Sequence, residues 1–94
     1  MTDPIKTVTV PLNEPVHHNG IEYKSLTFRR MKARDALVAE DEKNQIMAGY
    51  RIFAALAGVP VDVILELEMI DLAKVSEEVA PLMGKLPASL GALN

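Results

Sequence analysis

His17-His18 and the acidic triplet Glu40-Asp41-Glu42 are the residues whose chemistry first invites a functional reading. A metal centre needs three or four converging ligands, and the chain has no cysteine to join its two histidines. The triplet lacks the turn glycine and the spaced oxygen ligands of a calcium loop. The plainer reading makes the histidines an exposed pair beside a turn and the acids a solvated helix end. There is no nucleophile with a paired base, no phosphate-cradling glycine loop and no nucleotide fingerprint. The sequence therefore predicts no catalytic residue, no metal ligand and no cofactor, and a protein that is not an enzyme.

Arg29-Arg30-Met31-Lys32-Ala33-Arg34 places four cations within six residues, enough to meet nucleic-acid phosphates. Against this, the chain carries a net charge of −3, the run holds no aromatic residue, and no helix-turn-helix pair follows it. Arg29 directly follows Phe28 and is as well placed to tie a strand to an acidic helix. The expectation is no nucleic-acid partner.

The elements that must position these residues follow from periodicity. Val8, Val10 and Leu12 share one face of a strand, Thr7 and Thr9 the other. Pro11 confines that strand to an edge or ends it there. Asn19-Gly20 tolerates the positive φ of a two-residue hairpin turn, joining Val16–His18 to Ile21–Tyr23. The second arm runs on through Leu26 and Phe28 and pairs with Thr7–Leu12. Its apolar parity switches between Tyr23 and Leu26, which predicts a bulge near Lys24-Ser25.

From Met31 the period becomes helical. Asp35–Glu42 reads as one helix and Gln45–Ala57 as the strongest, with Ile46, Tyr50 and Phe53 expected chiefly in the core. Gly58 caps it and Pro60 blocks continuation. Val61–Leu67 forms a short helix with Asp62 in its first turn. A last helix spans Met69–Ala80, with Leu72, Val75 and Val79 on one face, before Pro81. The fold class is α+β, mostly α: a small antiparallel hairpin about 7–28, then three to four helices about 32–83. One domain over residues 1–86 is expected, with a mobile tail at 87–94.

About half of the 94 residues are hydrophobic, but with no Trp, two Phe and two Tyr the core must be aliphatic. Such a core packs adaptably and gains stability from a partner. Residues 1–34 carry a net +3 and residues 35–94 a net −6. That bipolar layout suits head-to-tail self-association, or simply two separately solvated surfaces. The start Met1-Thr2-Asp3-Pro4 has no apolar run behind a basic patch, and no apolar stretch approaches a membrane span. A cytoplasmic location without membrane contact is expected.

One ordered set of motifs carries more. It begins with V-x-V-x-L at Val8–Leu12, a proline, and Asn19-Gly20 returning as I-x-Y-x-x-L-x-F-R through Arg29. A basic link then leads into D-A-L at Asp35. The second half has A-G-V-P ending at Pro60, V-I-L-E-L at Val63–Leu67, and D-x-x-x-V-x-x-x-V from Asp71 to Val79. Over about residues 7–86 this resembles the tail assembly chaperones of Mu-like and related contractile-tailed phages and prophages. The elements that map onto it are Leu12, Pro15, Gly20, Leu26, Arg29, Asp35, Gly58 and Asp71.

The resemblance implies a protein that coats the tape measure protein while the tail tube forms and is absent from the finished virion. It also implies a second form of the same protein, extended by programmed frameshifting, as a partner, in the cytoplasm of a bacterial host. A homo-oligomer is compatible with it. Val63, Ile64, Leu67, Val75, Val79 and Leu82 present more apolar surface than so small a domain can bury. They are expected to form the protein-binding face. Two alternatives are a small DNA-binding regulator using Arg29–Arg34, and a structural tail or baseplate component that stays in the particle.

Overall fold

A computed structural model describes residues 7–83. Strand β1 (Thr7–His18) and strand β2 (Ile21–Arg29) form a two-stranded antiparallel sheet. A 3-10 segment, Ala33–Ala39, leads to helices α1 (Gln45–Ala57), α2 (Val61–Leu65) and α3 (Met69–Val79). A final 3-10 turn spans Ala80–Met83. The α+β, mostly α architecture expected from the sequence is the one observed.

The hairpin turns where the residues allow it: Asn19 and Gly20 take φ of 52° and 79°. Both central residues of this tight turn are thus left-handed, which matches the twist of the flanking strands. Thr7–Pro11 pairs with Ser25–Arg29, as the alternation predicted. On the outer face the Thr9 and Thr27 hydroxyls hydrogen-bond at 2.9 Å. On the inner face Val10, Val16, Leu26 and Phe28 are buried.

The irregularity lies in β1, not in β2 near Lys24-Ser25. Pairing jumps from Pro11↔Ser25 to Val16↔Tyr23, so Leu12 to Pro15 stand opposite the single residue Lys24. The parity switch in β2 is real, but β1 supplies the extra length. Pro11 and Pro15 lack an N–H, so this part of β1 gives up little by leaving the ladder.

Three helical readings shift. Asp35–Glu42 is not an α-helix; the 3-10 segment replaces it, with Asp35 N–H donating to the Lys32 carbonyl at 2.9 Å. The Asn44 side chain accepts from Met47 N–H at 3.0 Å and starts α1 afresh. Helix α2 stops at Leu65, although Leu67 N–H still bonds the Ile64 carbonyl at 3.2 Å and its side chain reaches the core. Helix α3 passes into the 3-10 turn at Ala80, and Leu82 O accepts from Met31 N–H at 3.0 Å, closing the chain onto the end of the sheet. Gly58 ends α1 with φ 69°, as its position predicted.

The core forms where the sheet meets α1, α2 and α3. Phe28, fully buried, sets its ring edge-on to Phe53 with centroids 6.4 Å apart. Tyr50 and Phe53 are half-buried against the core, but Ile46 is 66% exposed. Helix α1 meets the core through its later turns, and its first turn projects beyond them. The expected tail at 87–94 lies outside the described residues.

Phe28→Ala should cost about 3–5 kcal/mol, a large part of the ~5–15 kcal/mol that holds a domain together. Leu67→Asp and Val79→Asp should leave the chain largely unfolded, because each buries an unpaired carboxylate. Thermal melts followed by far-UV circular dichroism measure both effects.

Candidate protein-binding surface

The polar groups that the fold buries are structural. Asp71 is fully buried at the start of α3, among the residues packed on β1. Its Oδ1 accepts from Asn13 N–H at 2.8 Å and its Oδ2 from Glu14 N–H at 3.1 Å. These amides belong to the stretch of β1 that has left β2. Lys74 lies 3.5 Å from Asp71 Oδ1 and donates to the Pro11 carbonyl at 2.8 Å. Burial alone would raise the Asp71 carboxyl. The two backbone donors and the Lys74 ammonium outweigh it and hold the group below the usual range.

A second carboxylate closes the other end of the sheet. The Arg29 guanidinium, leaving β2, donates to both oxygens of buried Asp35 at 2.8 Å. It also donates to the Ala55 carbonyl of α1 at 3.4 Å, and Lys32 N–H donates to Asp35 Oδ2 at 2.6 Å. The Arg29 hydrogen bonds, against the opposing pull of burial, bring the Asp35 carboxyl down to about 2. Arg29 does tie the sheet onward, to a 3-10 segment and to α1. One member of the basic run is thereby committed to the fold.

The remaining polar groups are on the surface. His17 stands 3.6 Å from Glu22, with both side chains exposed, and His18 bonds its neighbour Asn19. Glu42 binds Arg51 at 2.9 Å, fastening the acidic triplet to α1. Among the described residues no three His, Cys, Asp or Glu side chains gather as metal ligands would.

Val63, Ile64, Leu67, Val75, Val79 and Leu82 all lie in the core, from 0% to 8% exposed. The fold brings them together, but in its interior, where they offer no surface in this conformation. With few aromatic residues, the core has room for every one of them. The apolar side chains that do face solvent are different: Ile21 at the hairpin tip, Leu37 and Val38 on the 3-10 segment, Ile46 on α1, and Leu65, Met69 and Ile70 where α2 meets α3. The signal for Met69 and Ile70 was present in the sequence. Both fall off the Leu72/Val75/Val79 face of their helix, where a polar residue would be expected.

Exposed apolar side chains of this size are available for contact with other proteins. The family described as "Phage tail assembly chaperone proteins, E, or 41 or 14" matches over residues 9–84. The chain belongs to this family. No curated protein and no solved structure matches it. This phage tail assembly chaperone therefore has protein partners in tail assembly. Among its described residues no helix is long and apolar enough to cross a membrane.

The two carboxylates give a pH dependence of definite sign. Both have folded-state values below their ordinary ones, so their stabilisation is complete above the ordinary carboxylate range. It is lost as pH falls through the folded values, for Asp35 between about 4 and about 2. Urea titrations across this range should show stability falling steeply. Asp35→Asn should lower stability at neutral pH by about 1–3 kcal/mol and flatten the acid slope.

Proposed function

We propose that this chaperone binds the tape measure protein and covers it while the tail tube assembles. The observation that carries the reading is the set of exposed apolar side chains on a member of the tail assembly chaperone family. A long helical client is best held by many weak, repeated contacts that the growing tube can displace, not by one tight lock. Seven large apolar residues spread over the hairpin tip, the 3-10 segment and the three helices fit that requirement. The work takes place in the cytoplasm of the bacterial host, and the protein leaves before the virion is complete.

A second, frameshift-extended form of the chain is part of the proposal. Met83-Gly84-Lys85 must be encoded ATG-GGN-AAR. With GGA at Gly84 the message reads G-GGA-AAR, on which the tRNAs re-pair one base back. Reading the gene tests this: the slip requires GGA at Gly84 and an overlapping downstream frame, and another glycine codon there removes it.

The direct test of the client is co-expression of tagged chaperone with the tape measure protein. The tape measure protein should co-purify and stay soluble, and mass spectrometry of purified virions should find the chaperone absent or at trace level. A tape measure protein that neither co-purifies nor gains solubility sinks the reading. Stoichiometric chaperone in the particle would make it a structural component instead.

A further inference from the structure

Six of the exposed apolar side chains fall into two groups, one with an acidic rim and one with exposed cations beside it. Leu65, Met69 and Ile70, 46%, 74% and 60% exposed, lie at the junction of α2 and α3. Asp62, Glu66, Glu68, Glu77 and Glu78 on or beside these helices are all exposed. The one cation in residues 61–79 is Lys74, which is already engaged by Asp71 and the Pro11 carbonyl. This rim is acidic with no cation of its own to offset it.

The second group is Leu37 and Val38 on the 3-10 segment, which packs on α1, and Ile46 in the first turn of that helix. Exposed Lys32, Arg34 and Lys43 flank it in the chain. Glu40 and Asp41 are exposed beyond Val38, while Arg51 holds Glu42. Cations therefore border this group on both sides. Within one protomer the 3-10 segment rests on α1, α1 rests on α2, and α3 rests on β1.

We propose that in the free chain, with no client on it, the occupant of each patch is a second copy of this chain. The acid-rimmed Leu65/Met69/Ile70 patch of one protomer docks on the cation-flanked Leu37/Val38/Ile46 patch of the next. Apolar contact supplies the adhesion, and the opposite charges set orientation and exclude like-to-like pairing. Because the two patches differ, the interface is heterologous, and repeating it builds a ring or an open filament, not a closed two-fold dimer. The inference concerns the isolated chain and stands whether or not the tape measure protein is its client.

Analytical ultracentrifugation of the full chain tests it. Met69→Lys with Ile70→Lys removes the acid-rimmed patch, and Leu37→Ser with Val38→Ser removes the other. All four positions are exposed, and circular dichroism checks that both variants fold. Should either double variant misfold, Ile70→Lys and Val38→Ser alone replace the pair. The wild-type chain should form species larger than a dimer at low salt and shrink as salt is raised. Each variant alone should be monomeric, its self-association weakened about tenfold or more. An equimolar mixture of the two should give a one-to-one dimer and nothing larger, since each retains the patch that the other lacks. A monomeric wild-type chain at several hundred micromolar in low salt overturns the proposal. So does a mixture that stays monomeric, or a variant that associates as the wild type does.

Discussion

Two adjacent backbone amides on a strand that has left its partner must find an acceptor, and Asp71 meets both. Without it the chain would lose two hydrogen bonds to a charged acceptor, each contributing about 1.5–3 kcal/mol. The carboxylate is fully buried, so it is itself tolerable only because those two donors and Lys74 surround it. Sheet and helix therefore require each other. The irregular stretch of β1 gives α3 its place, and α3 in turn brings Leu72, Val75 and Val79 under the sheet.

The Arg29–Asp35 pair plays the corresponding part at the other end. It is bidentate, and the same guanidinium reaches α1, so one side chain joins the sheet, the 3-10 segment and a helix. Between these two anchors the core is almost wholly aliphatic. Aliphatic contacts are non-directional and tolerate more than one arrangement. The two carboxylates supply the directionality that such a core lacks, which frees the surface for adaptable apolar contacts.

Local chemistry was legible in the sequence and distant chemistry was not. Asn19-Gly20, Gly58 and the α1 boundaries act through neighbouring residues, and all stand where the sequence placed them. Arg29 was readable as a tie because its partner lies only six residues on. The role of Asp71 depends on amides 57 and 58 residues away, so no local pattern points to it. The misplaced bulge has the same origin: parity in β2 shows that an irregularity exists but not which strand carries it. Ile46 shows another limit, since helical spacing identifies a face but not how far along it the core extends. The six residues expected on a binding face lie in one buried cluster, and no period shows that, because burial depends on the whole packed volume.

This chaperone keeps a closed core and carries exposed apolar side chains outside it. Hydrogen–deuterium exchange tests this, recorded with and without the tape measure protein on chaperone dilute enough to be monomeric. Exchange should slow in the stretches bearing Leu37 to Ile46 and Leu65 to Ile70, with no change at the slow amides around Leu72 to Val79. Faster exchange around Val75 and Val79 on binding would contradict it, because the client would then be held by the residues that this fold keeps inside.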